Sequence, residues 1–89
     1  MSKNIGILIR EIPAEGLRVS GGLSILDDPV SVFVMDQALG TSPDTEMALS
    51  MVRELGLPVW AMDAHAGSGG LSVRDFAGRL LEQDVVLTF

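Results

Sequence analysis

Four short apolar segments alternate with three amphipathic ones along the chain, and this alternation predicts a parallel α/β sheet. The apolar segments are each too short for a helix and are bounded by turn-forming residues, as strands are; they cover residues 4–9, 30–35, 57–63 and 85–89. Helical spacing of apolar residues follows Pro13, Pro43 and Ser72. We therefore predict a β-α-β-α-β-α-β three-layer sandwich, and residues 1–89 form a single domain because no linker or repeat interrupts the pattern.

The helix boundaries have clear chemical signals. Ser42 is a predicted N-cap ahead of Pro43, and Gly56 is the expected terminator of the same helix. Ser72 is predicted to cap the last helix. We expect the buried side of the second helix to include Met47, Leu49, Met51, Val52 and Leu55, and that of the last helix to include Phe76, Ala77, Leu80 and Leu81.

The strand count leads to an expectation about assembly. With the flavodoxin-like strand order 2-1-3-4, right-handed crossovers place the first helix on one face of the sheet and the other two helices on the opposite face. The first helix alone cannot cover strands three and four, which are apolar on both faces. The sequence therefore predicts an obligate oligomer, in which Gly16, Gly21 and Gly22 permit close packing of the first helix against a sheet or a neighbouring subunit.

Composition excludes several classes of partner. Six basic and twelve acidic residues give a net charge of −6, and the basic residues do not cluster, so we expect no nucleic-acid binding. The mean hydropathy is high, at +0.39, but no apolar run reaches the roughly 18 residues of a membrane span. No signal-peptide pattern precedes the first strand, which favours a cytoplasmic location. The absence of cysteine excludes disulfides, thiolate metal sites and cysteine nucleophiles within this sequence.

The most promising place for a binding site is the set of loops that follow the strands. In open α/β sheets, ligands bind in the crevice outside the carboxyl ends of the strands. Arg10 and Asp36 follow the first two strands, while Asp63, His65 and Ser68 follow the third. Histidine titrates near neutral pH, so His65 is the candidate best suited to proton transfer.

For each specific chemistry that these residues suggest, the sequence also offers a reason against it or a simpler explanation. Asp63, His65 and Ser68 are the residue types of a hydrolase triad, but triads are assembled from distant segments. One histidine with two aspartates has no helical metal-ligand spacing. Residues 67–70, Gly-Ser-Gly-Gly, could hold an anion ahead of a helix, yet they match no phosphate-binding motif and also suit a plain connection. We therefore assign no catalytic residue, metal or cofactor.

The chain as a whole resembles the DsrE/DsrF/DsrH superfamily of small sulfur-relay proteins, which includes the TusB, TusC and TusD subunits. The resemblance rests on the glycine-rich first helix and three strand regions, at residues 15–23, 30–36, 56–62 and 82–89. It implies a compact α/β domain that forms homo- or hetero-oligomers. In some members it also implies the transfer of sulfane sulfur on a cysteine, at a loop position near residues 63–66 here.

Because this sequence has no cysteine, it cannot carry a persulfide itself. The first functional hypothesis is therefore a non-catalytic, oligomeric structural or interaction subunit that partners cysteine-bearing relatives. The second hypothesis is a small-ligand or anion-binding module that uses the crevice of Arg10, Asp36, Asp63, His65 and Ser68. An enzyme with His65 as general base is the third, and no nucleophile or cofactor motif accompanies it.

Overall fold

The computed structural model describes residues 3–26, 28–35, 39–40, 42–62 and 71–89. Within these residues, the fold class expected from the sequence is confirmed: a four-stranded, all-parallel sheet with three helices, which form a small α/β three-layer sandwich. The elements in chain order are β1 (Ile5–Ile9), α1 (Pro13–Ser24), β2 (Val30–Val34), α2 (Pro43–Glu54), β3 (Val59–Ala61), α3 (Val73–Leu81) and β4 (Val85–Thr88).

The helix boundaries follow the capping signals. The Ser42 hydroxyl accepts a hydrogen bond from the backbone N–H of Thr45 at 3.2 Å, and the Ser72 hydroxyl accepts one from Asp75, also at 3.2 Å. Both bonds satisfy donors that a first helical turn leaves without a partner. Gly56 has φ +76°, the left-handed conformation that ends a helix at little cost only in glycine. These three predictions are confirmed.

The strand order is β3-β2-β1-β4, so the expected order 2-1-3-4 was wrong. β3 pairs with β2, and β4 pairs with β1. Two glycines make room for β4 beside β1: a Cβ on Gly6 would lie 2.9 Å from Cγ of Gln83, and one on Gly16 would lie 3.2 Å from Cβ of Phe89. Hydrophobic patterning identifies strands but not their neighbours, and this packing signal is visible only in three dimensions.

The distribution of helices also differs from the expectation. α1 and α2 pack against each other on one face of the sheet, and α3 lies on the other. The expected arrangement paired α2 with α3 because it placed β3 beyond β1. Here β1, β2 and β3 succeed one another in one direction, so two right-handed crossovers fall on the same face, and the chain reverses only after β3.

The main core lies between the sheet and the α1/α2 pair. The inward residues of the central strands are fully or almost fully buried, and glycines allow the helices to approach: a Cβ on Gly21 would lie 2.9 Å from Cε of Met51 in α2. The expectation of close packing at glycines is thereby met at Gly16 and Gly21. The buried residues of this cluster are Ile7, Ile9, Leu17, Val30, Val32, Val34, Ala48 and Val52.

A smaller apolar contact holds α3 on the opposite face. The rings of Phe33 in β2 and Phe76 in α3 meet edge to face, with centroids 5.6 Å apart and planes at 88°. The guanidinium carbon of Arg79 lies 4.1 Å from the ring centroid of Trp60 in β3. These contacts bind α3 to the β2 and β3 side of the sheet.

The predicted inward faces of two helices need correction. In α2, Met47 is 75% exposed and Met51 and Leu55 are also exposed, whereas Thr45, Ala48 and Val52 face the core. The smaller residues occupy the inward positions, and Met51 lies at the margin of the contact, with its Cε against Gly21 of α1. In α3, Phe76 is buried and Leu80 partly so, but Ala77 and Leu81 are exposed, since that helix packs on the sheet through a narrow stripe.

Candidate functional site

The carboxyl ends of the strands meet at one edge of the sheet. Ile9, Val34 and Ala61 are aligned across β1, β2 and β3. Arg10 follows Ile9 directly and is exposed. The other four candidates, Asp36, Asp63, His65 and Ser68, lie outside the described residues. Of the five, therefore, Arg10 alone is located, at the edge where the crevice was expected.

Backbone bonds continue the sheet a little beyond the last residues of the strands. The N–H of Met35 donates to the carbonyl of Ile9 at 3.0 Å, and that of Met62 donates to Val34 at 2.8 Å. The N–H of Leu71 donates to the carbonyl of Ala61 at 2.8 Å. The described chain thus leaves the sheet at Met62 and returns to the same edge at Leu71.

In this sheet the strand order reverses between β1 and β4, which is where doubly wound folds bind ligands. That position is filled by the chain itself: the oxygen of Phe89 accepts hydrogen bonds from the N–H groups of Arg10 at 2.6 Å and Glu11 at 2.9 Å. α1 starts there after Ile12 without a side-chain cap and with an acidic residue, Glu15, in its first turn. The Glu15 carboxylate disfavours an anion at the start of α1, and the N–H groups of Arg10 and Glu11 are engaged by Phe89, so the Arg10 side chain is the cationic group that this edge offers among the described residues.

A groove lies on the outer surface where α1 meets α2. It has a volume of about 330 Å³ and is lined by both apolar and charged side chains: Arg18, Asp44, Met47, Ala48 and Met51. The Arg18 guanidinium also lies 4.0 Å from the Glu15 carboxylate, and both side chains are more than half exposed. Sequence reasoning missed this groove because it assigned the methionines to the core.

The most unusual surface belongs to β4. The side chains of Val85, Val86 and Leu87 are 38–40% exposed although the segment is wholly apolar. The main contacts of α1 with the sheet are with β1 and β2, and the described contacts of α3 are with β2 and β3, so β4 lies at the margin of both helical layers. We call Val85–Thr88, with its outward backbone groups, the β4 edge. The sequence predicted apolar strand faces that no helix covers, but it predicted them for both β3 and β4.

Neither metal chemistry nor a known relative narrows the function further. Among the residues described, no three His, Asp or Glu side chains are grouped as metal ligands. In the same residues, no helix has the length and apolar character that a membrane crossing requires. No family model, curated protein or solved structure matches the chain. A function is therefore inferred from the surfaces of the fold.

Proposed function

We propose that this chain is a non-catalytic, cysteine-less relative of the DsrE/DsrF/DsrH proteins that acts as an oligomeric structural or interaction subunit in sulfur relay. The small parallel α/β sandwich is compatible with the resemblance read from the sequence. The observation that carries the proposal is the exposure of β4, since strands of parallel sheets are normally covered on both faces.

Exposed apolar surface of this kind favours association. Burial of apolar area is the main driving force of protein assembly, and contiguous exposed patches mark interaction sites. Besides β4, the chain exposes Met47 and Leu55 along α2, and Ile25 and Leu26 after α1. An interaction subunit needs such surfaces.

The resemblance suggests sulfur relay, and the absence of cysteine from the sequence limits the part that this chain can take in it. A persulfide requires a cysteine sulfur, and the sequence has none. The chain therefore contributes assembly or positioning, while a cysteine-bearing partner carries the sulfur.

Light scattering after size-exclusion chromatography at low micromolar concentration tests the proposal. We expect a mass that is a multiple of 9.4 kDa, because the apolar β4 edge is buried between subunits. A clean monomer would contradict the proposal. A second run, mixed with a cysteine-bearing member of the superfamily, tests the relay role: co-elution supports it, and independent elution removes it.

The alternative function, a small-ligand or anion-binding module, depends on the exposed Arg10 at the carboxyl end of β1. A ligand that binds only the folded state raises its stability in proportion to the logarithm of its concentration. A thermal-shift screen with phosphate, nucleotides and sulfur oxyanions therefore tests it, with Arg10→Ala as the control. A shift in the parent protein that disappears in Arg10→Ala supports this alternative, and no shift with any probe contradicts it.

A further inference from the structure

The outward backbone groups of β4 belong to Val86 and Thr88. The N–H of Val85 donates to Asn4 at 3.2 Å, and the N–H of Phe89 donates to Leu8 at 2.8 Å, so the odd-numbered residues face β1. Because backbone groups alternate in direction along a strand, those of Val86 and Thr88 point away from the sheet. Within the described part of the chain, neither residue has a backbone partner on that side.

The opposite edge of the sheet is protected, which makes the β4 edge distinctive. β3 has only three residues, follows Pro58, and has the outward carbonyl of Ala61 bonded to Leu71 at 2.8 Å. Short length, proline and covering segments are common means of blocking edge pairing, as are charged side chains. β4 and the following Phe89 contain neither proline nor charge. An edge without these features is a template for another strand.

We infer that the β4 edge pairs with the β4 edge of a second copy of this chain, antiparallel about a two-fold axis. Two copies with a net charge of −6 each repel, so a self-interface is favoured where charge is absent, as it is along β4. A two-fold axis requires antiparallel strands, and the outward residues Val86 and Thr88 are symmetric about Leu87. The inference rests on the proposed oligomeric function and specifies its interface.

The register follows from which donors are free. Pairing Val86 with Thr88 of the second copy uses both outward residues of each chain, and each pair exchanges two N–H···O bonds. If Val86 instead faced Val86 of the second copy, Thr88 would face Asp84, whose N–H is already donated to Asn4 at 2.8 Å. The favoured register therefore places Leu87 on the axis, opposite Leu87 of the second copy.

The pairing would form one continuous eight-stranded sheet. Val86 is in register with Gly6, where a Cβ would lie 3.4 Å from the Phe33 ring that packs on α3, so the Val86 side chain lies beside the junction on the α3 face. It is 40% exposed in the single chain.

Single cysteines test this register without interference, because the chain has no cysteine of its own. In Leu87→Cys, residues that face each other at a non-hydrogen-bonded position have Cα atoms about 4.5 Å apart, within disulfide range. Val86→Cys is the matched control, since its exposure is nearly the same but its own copy lies diagonally, about 7–8 Å away. Under mild oxidation we expect a covalent dimer of Leu87→Cys and no covalent dimer of Val86→Cys.

A charge swap provides a second test, because misfolded variants would not form a dimer on mixing. Like charges directly opposite each other destabilise a strand pair, and opposite charges stabilise it. We expect Leu87→Lys and Leu87→Glu each to be monomeric alone and to form a dimer when mixed. Circular dichroism of each separate variant shows whether it is folded before mixing.

The outcomes separate this inference from the proposed function. If the parent chain is a monomer, both fail. If it is an oligomer but Val86→Cys cross-links as well as Leu87→Cys, or the mixed charge variants stay monomeric while folded, the β4 register is wrong and the oligomeric function stands. Selective cross-linking together with recovery on mixing supports the register.

Discussion

The two ends of the sheet have very different surroundings. At the β3 end, Val59 packs against the buried core cluster on one face, and α3 reaches the other face through the contact of Arg79 with Trp60. At the β4 end, three successive apolar side chains are exposed and the outward backbone groups have no partner among the described residues. The same sequence thus closes one end of its sheet and leaves the other open.

The direction of the crossovers determines which strands the helices cover. Two crossovers in one direction and a single one back place all three helices nearest β1, β2 and β3. β4, added beside β1 by the returning chain, is beyond the reach of that cover. Exposure at β4 is therefore a consequence of topology. Substitutions in α2 and α3 test how much these helices stabilise the rest of the sheet.

The largest effect is expected at Val52, the fully buried residue of α2. Val52→Asp buries an unpaired carboxylate at a cost of several kcal/mol, against a total stability of about 5–15 kcal/mol for a small domain, so we expect no folded protein. Met47→Asp is the matched control on the exposed side, because Met47 is 75% exposed and surface changes usually lie within about 0.5 kcal/mol. Urea denaturation measures both. Equal losses of unfolding free energy in the two variants would mean that α2 presents a different face to the core.

The next largest effect is expected at Phe76, the residue through which α3 packs on Phe33. Phe76→Ala should reduce the free energy of unfolding by about 3–5 kcal/mol, the usual cost of removing a buried phenylalanine. Leu81→Ala, at an exposed position of the same helix, is the control and should change it by less than about 0.5 kcal/mol. A negligible effect of Phe76→Ala would show that α3 does not cover this face.

A smaller effect is expected from the cation–π contact at the β3 end. Arg79→Gln removes the charge above Trp60 and should cost about 0.5–1 kcal/mol, as exposed contacts of this type do. Arg79→Lys keeps a cation and should lose less. Thermal unfolding with tryptophan fluorescence follows both variants directly, because Trp60 is the one tryptophan of the sequence. An unchanged emission spectrum and stability in Arg79→Gln would remove this contact from the account.

The smallest effects are expected at the carboxyl ends of the strands. Arg10 is exposed, and the sequence predicts a loop around His65, which stands between two alanines, so Arg10→Ala and His65→Ala should each change stability by less than about 0.5 kcal/mol. Neither should alter the oligomeric mass, since neither belongs to the β4 edge. A loss of several kcal/mol of unfolding free energy in His65→Ala would show that His65 is structural. A change of oligomeric mass in either variant would show that the interface is not at the β4 edge.

Local signals in the sequence were sufficient for the elements but not for their arrangement. The Ser42 and Ser72 caps and the Gly56 terminator depend on neighbouring residues, so they could be predicted. The strand order could not, because it depends on close approaches such as Gly6 to Gln83, which are distant in the sequence. The error in α2 arose because both Thr45–Ala48–Val52 and Met47–Met51–Leu55 have helical spacing, and only the packed sheet decides between them.

The candidate site was predictable only in outline. Strand ends can be located from the sequence, which is why Arg10 lies at the expected edge. The engagement of its N–H by Phe89 depends on β4 lying beside β1, and that neighbour relation was wrongly expected. The assignment of Asp36, Asp63, His65 and Ser68 to a crevice stays a prediction.

Amide hydrogen exchange at β4, followed by NMR on the unmodified chain, shows directly whether the β4 edge pairs with a second copy. The N–H of Leu87 faces β1 and should be protected in any folded state, so it serves as the internal reference. If the β4 edge pairs with a second copy, the N–H groups of Val86 and Thr88 should be protected at high protein concentration and should lose protection on dilution. Fast exchange of Val86 and Thr88 at every concentration, beside a protected Leu87, would contradict it.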